Sequence, residues 1–142
     1  MRLVKHLLDA KPHAIHAVAP EQAVLEAIRM MADKYVGALL VMRGDELLGI
    51  VSERDYARKV ILKGKSSADT PVSDIMTSPV LSVVPGDSAH RCMRLMTEKR
   101  IRHLPVVEQG RLMGIISIGD VVRAVVDEQQ FTINSLQRYI TS

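Results

Sequence analysis

The 142-residue chain contains no tryptophan, one phenylalanine, three tyrosines and one cysteine. The lone Cys92 excludes an intrachain disulfide and any metal cage built from several thiolates, and it suits a reducing compartment. With aromatics so scarce, valine, isoleucine, leucine, alanine and eight methionines must fill the interior, and a hydrophobic fraction of 47% is ample for that. Neither charge sign dominates. Nineteen basic against sixteen acidic residues leave a formal +3, too small a surplus to mark a nucleic-acid partner unless the cations cluster. No apolar run is long enough for a signal peptide or a membrane span, because the opening MRLVKHLLDAKPHAIHAV is broken by Lys5 and Asp9. The expectation is a cytoplasmic protein with no membrane partner.

Signatures of chemistry are missing as well. The histidines at 6, 13, 16, 90 and 103 form no His-Glu-x-x-His pattern, no cysteine pair exists, and the Gly-x-x-x-x-Gly-Lys loop of nucleotide hydrolases is absent. Cys92 falls on the inward stripe of a helix, where it reads as a small buried hydrophobe. The expectation is therefore no enzyme, no metal and no catalytic cofactor.

What the sequence does contain is a repeat. GIVSERDYARKV at 49–60 returns as GIISIGDVVRAV at 114–125, and residue n matches residue n + 65 without a gap from 18–60 to 83–125. Val18, Pro20, Arg29, Met31, Leu39, Val41, Gly49, Ser52 and Asp55 all recur. Each copy reads as strand, helix, strand, strand, helix. In the first, HAIHAV (13–18) is a short apolar strand, and Pro20 and Glu21 suit a helix start. Ala23, Val24, Ala27, Ile28 and Met31 form a helical stripe. GALLVMRGDELLGIVS (37–52) is a hairpin turning near Gly44, and ERDYARKVILKG is a helix that Gly64 ends. The second copy repeats this with PVLSVV (79–84), a helix from about Ser88 to Lys99, strands around HLPVV and LMGIIS, and a helix from about Gly119 to Gln129. Each copy has one apolar sheet face and two striped helices, so copy packed on copy supplies the missing side. The expected fold class is α+β (mixed α/β), with a first domain over 1–68, a second over 69–129, and a tail over 130–142 that reads as a cover strand or short helix.

The VSDIMTSPVLSVVPGDS entry at 72–88, the RHLPVV strand at 102–107 and the paired GIVSERD and GIISIGD motifs together resemble a tandem pair of cystathionine-beta-synthase (CBS) domains, or Bateman module, over roughly 4–127. The resemblance implies two β-α-β-β-α repeats packed sheet to sheet about a pseudo-two-fold axis, and commonly a homodimer. It also implies adenosine-containing ligands in clefts between the copies and a response passed to a protein partner. AMP, ADP, ATP and NAD are the ligands it suggests.

Ser52 with Asp55, and Ser117 with Asp120, read in two ways. Each pair has the form of a capping box at a helix start, worth about 0.5–2 kcal/mol. Each also sits where a strand gives way to a helix N-terminus, a place that favours phosphate, while a carboxylate can hold two adjacent ribose hydroxyls. By the resemblance, Ser52 and Asp55 face a wall of Pro79, Val80, Ile101 and His103. Ser117 and Asp120 likewise face Ala14, Ile15, Val36 and Ala38, with Gly37 between the last two. Such strand ends offer adenine apolar faces and backbone bonds. Arg102 and His103 replace Gly37 and Ala38 of the first copy, so the site using Asp55 is expected to suit phosphate better. One or two phosphates are easier to satisfy there than three, which ranks AMP, ADP or a dinucleotide above ATP. The competing reading is a ligand-independent scaffold that pairs subunits or holds another protein, with Met30, Met31, Met93 and Met96 as core or interface residues. DNA binding ranks third, since the basic run Arg54, Arg58, Lys59, Lys63 and Lys65 lacks a paired-helix reading motif.

Overall fold

The computed structural model describes residues 1–10 and 15–141. They form a mixed α/β structure with two compact units, one over 15–81 and the other joining the first residues of the chain to Ser82 onward. In the first of these, β1 (Ala17–Val18), β2 (Ala38–Arg43) and β3 (Glu46–Ser52) make a three-stranded sheet ordered β1-β2-β3. β1 runs parallel to β2, and β2 pairs antiparallel with β3. Helix α2 (Val24–Lys34) buries Val24, Ala27 and Met31 on this sheet, alongside Val18, Leu39, Val41, Val51 and Val60. The expected stripe is thus real, but the helix starts at Val24 rather than at Pro20. The short α3 (Glu53–Tyr56) continues as a π-helical turn over Ala57–Ile61, and Gly64, at φ +67°, closes the segment as expected.

The other unit repeats the plan. α4 (Ala89–Lys99) buries Ala89, Cys92 and Met96 against β4 (His103–Glu108) and β5 (Arg111–Ser117). The register is copied along with the fold: Val41 opposes Gly49 with a bulge after Val41, and Val106 opposes Gly114 with a bulge after Val106. PVLSVV does not become a full strand. It contributes one parallel bridge, Val83 to Val106, which matches the pairing of Val18 with Val41. The tail does not form a separate cover: α5 runs unbroken over Ile118–Thr141. A hydroxyl on Ser88 caps α4 by accepting the Arg91 amide at 3.0 Å, whereas Ala23 caps α2 with no side-chain bond.

Each unit is completed by the segment that precedes the other copy in the chain. Val4 donates to Asp87 O at 2.8 Å and Ala89 to Arg2 O at 2.9 Å; in the other unit Val72 donates to Gln22 O at 2.8 Å and Val24 to Thr70 O at 2.8 Å. Helix α1 (Val4–Asp9) buries Val4, Leu7 and Leu8 in this way, and the 3-10 turn Val72–Asp74 with Ile75 does the same for its unit. Met31 and Met96 are core residues, 3% and 1% exposed, while Met30 and Met93 pack at the core margins.

Candidate functional site

The hairpin strands deliver both Ser-x-x-Asp motifs to the same place in their units, at the junction of the last strand with the following helix. In the first, Asp55 Oδ2 accepts from the Ser52 amide at 2.9 Å and the Ser52 hydroxyl at 3.0 Å, and the Asp55 amide returns a bond to Ser52 Oγ at 3.2 Å. The capping box is complete. In the second, Asp120 Oδ2 accepts from the Ser117 amide at 2.8 Å, and the Asp120 amide donates to Ser117 Oγ at 3.2 Å. Both carboxylates are largely shielded, with side-chain exposures of 16% and 14%.

Each carboxylate uses its second oxygen on a cation. Lys59 Nζ lies 3.3 Å from Asp55 Oδ1 and also donates to the Ile75 carbonyl at 2.9 Å. Arg123 reaches Asp120 Oδ1 at a looser 3.5 Å from a mostly exposed position. In the sequence Lys59 stands out only as part of a basic run, and Arg123 does not stand out at all. Their steps of four and three from the aspartates on one helix were the readable signal. A carboxylate has about four lone-pair positions, and at Asp55 these contacts engage three of them.

The helix starts have less spare donor capacity than the sequence implied. The Glu53 amide donates to Gly37 O at 3.1 Å and the Ile118 amide to Arg102 O at 2.8 Å. With the Asp55 and Asp120 amides tied to serine hydroxyls, two of the first three amides in each turn are committed. These commitments lower the capacity of either helix start to hold a phosphate through its amides.

Among the expected wall residues, Ile15, Val36, Gly37, Ala38, Pro79 and Val80 share a unit with Ser52 and Asp55, and Ile101, Arg102 and His103 share one with Ser117 and Asp120. Strand pairing sets Ala38 directly opposite Ser52 and His103 opposite Ser117. Within its own unit, then, each motif adjoins the strand start that the resemblance assigned to the other motif. Pro79 and Arg102 are exposed, Val80, Ile101 and His103 half-buried, and Ala38 buried. Ala14 lies outside the described residues.

Cys92 is fully buried, and desolvation, helped by the nearby Asp87 charge, pushes its thiol up to about 11. Such a thiol is inert as a nucleophile at neutral pH. Among the described residues no helix is long and apolar enough to cross a membrane.

A family model of the CBS domain matches the chain twice, over residues 7–62 and 72–127. The mitochondrial CBS domain-containing protein CBSX3 of Arabidopsis thaliana is 45% identical over 125 residues, 84% of this chain and 61% of the plant protein. The chain therefore spans about three fifths of that relative's length. A solved protein with CBS domains from Burkholderia ambifaria MC40-6 is 52% identical with a TM-score of 0.86, covering 92% of this chain and 98% of that one. The CBS domain pair of protein MJ0100, solved with 5'-methylthioadenosine and S-adenosyl-L-methionine, shares the fold at a TM-score of 0.78 and 23% identity, covering 90% of this chain and 98% of that one.

Proposed function

The chain belongs to the CBS-domain family, and on that premise we propose that it is a regulatory module, not an enzyme, which binds an adenosine-containing ligand at its Ser-x-x-Asp motifs and passes the bound state to a protein partner. The observation that carries this reading is the repeated placement of a shielded carboxylate at a strand-to-helix junction, held each time by the serine three residues before it. Asp55 and Asp120 hold ribose hydroxyls. Ser52 and Ser117 orient the carboxylates. The wall residues implied by the family resemblance receive the base, and Arg102 and His103 favour phosphate. The adenosine derivatives bound by the MJ0100 pair support the ligand class. AMP, ADP or NAD ranks above ATP, because two of the first three amides at each helix start already have partners. The module works in the cytoplasm as a homo-oligomer.

The scaffold reading has its own supporting observation: in both motifs the serine and aspartate already serve one another as a helix cap. A thermal-shift panel with AMP, ADP, ATP, NAD and S-adenosylmethionine separates the two. A ligand at about a hundredfold its Kd adds about 2.7 kcal/mol to the folded state, a rise of several degrees in Tm. No shift with any of them at millimolar concentration would leave the scaffold. Magnesium-free ATP binding at least tenfold more tightly than AMP would overturn the phosphate ranking.

A further inference from the structure

Helix α5 has 24 residues, and only its beginning is anchored, through buried Val121, Ala124 and Val125. From Gln129 to Thr141 every residue is exposed. That stretch, QQFTINSLQRYIT, is rich in β-branched, hydroxyl and aromatic residues, which are weak helix formers, and an unpacked helical segment of this length is marginal in water. Its helical state calls for a packed face.

The sequence supplies that face. Val122, Val126, Gln129, Ile133, Leu136 and Ile140 follow at alternating steps of four and three, which is the spacing of a heptad seam. The five apolar members are all exposed, from 45% at Val122 to 80% at Ile140. This line lies about 100° around the helix from the anchoring face, so burying it competes with nothing in the core. Val126, Ile133 and Ile140 fall at the a positions, with Val122, Gln129 and Leu136 at d. β-branched residues at a with leucine at d favour parallel two-stranded coils.

We propose that this seam of α5 pairs with the same seam of a second copy of the chain as a parallel two-stranded coiled coil, in register at Gln129. Charge is consistent with an identical partner, since no residue from Gln129 to Gln137 is charged and in-register pairing brings no like charges together. Gln129 sets the orientation. Its amide is both donor and acceptor and can satisfy its own counterpart across a two-fold axis, whereas an antiparallel partner would place it against an apolar residue. At the flank, Thr132 already bonds the Glu128 carbonyl at 3.1 Å and can be covered without losing a partner. The seam is roughly 27 Å long and about 10 Å wide, on the order of 300 Å² per copy, against the ~800 Å² per partner of a stable interface. The pairing is accordingly weak and concentration-dependent, with a Kd of ~10–100 µM.

Sedimentation equilibrium of the full chain from 1 to 500 µM tests this. The wild type is expected to pass from monomer to dimer, and the Ile133→Glu, Leu136→Glu double variant to raise the dimer Kd at least tenfold. Its Tm, read at a concentration where both are monomeric, should match the wild type because neither side chain packs in the core. Orientation is read by oxidising a Gln129→Cys variant, which should cross-link two copies, beside Phe131→Cys on the far side of the helix, which should not. A wild type that stays monomeric to 500 µM, a dimer undiminished in the double variant, or cross-linking through position 131 as readily as through 129 would overturn the proposal. None of these readouts depends on nucleotide binding.

Discussion

Replacing Asp55 by asparagine separates cap from ligand contact, because the geometry fixes what each role would lose. The Asp55 carboxylate accepts two bonds from Ser52 and faces Lys59 at 3.3 Å. Asparagine keeps an acceptor for the Ser52 amide, so most of the cap survives. The ion pair with Lys59, whose side chain is 45% exposed, contributes only a few tenths of a kcal/mol after solvent screening. The summed cost to stability should therefore be at most about 1 kcal/mol, read as a lower urea midpoint at unchanged slope. A carboxylate that holds two ribose hydroxyls makes charge-assisted bonds worth about 1.5–3 kcal/mol, so the same change should raise Kd by roughly 13- to 160-fold. Calorimetric titration of wild type and variant with whichever nucleotide raises the Tm decides it. A Kd within threefold of wild type, with the stability loss as stated, would refute the ribose role and leave Asp55 as a cap.

Other perturbations probe the packing around the motifs. A Cβ on Gly49 would stand 2.7 Å from Met76 Sδ and 2.9 Å from the Thr77 carbonyl, whereas on Gly114 it would meet only Leu8 Cδ2 at 2.9 Å. Gly49→Ala should cost about 1–3 kcal/mol by denaturant unfolding and Gly114→Ala clearly less, since a leucine methyl can yield and backbone cannot; equal losses would contradict this. Lys59→Met removes the donor to the Ile75 carbonyl and should destabilise by about 0.5–1.5 kcal/mol in the same assay. Cys92 should resist iodoacetamide at pH 8 in the native protein and react once unfolded. Its raised pKa favours the folded state below the unfolded value near 9.0, and that contribution is lost as pH climbs through about 11.

The repeat made much of the fold legible, because a 65-residue displacement preserves strand register down to the bulges after Val41 and Val106. It was silent on the exchanged segments. Val4 and Val72 occupy equivalent places at an offset of 68, and a backbone bridge such as Leu3 to Ser88 leaves no mark in side-chain periodicity. PVLSVV has strand composition, yet only Val83 forms a bridge, since β propensity reports fit to a pleated surface rather than pairing. The tail left strand and short helix open for a related reason: its β-branched and aromatic residues are weak helix formers, and they mask the continuation of α5 to Thr141. At the site, the carboxylate and serine geometry was readable from the capping-box spacing. The use of the Glu53 and Ile118 amides by Gly37 and Arg102 was not, because it depends on how the preceding strand start passes the helix.

The most direct test of ligand binding at the motifs is an amide-resolved NMR titration of the full chain with AMP, ADP and NAD. Saturable shifts centred on Ser52–Asp55, Ser117–Asp120 or both are expected, with those at 52–55 lost in Asp55→Asn and those at 117–120 lost in Asp120→Asn. Saturable binding that leaves both segments unmoved, or no binding at millimolar ligand, would contradict it.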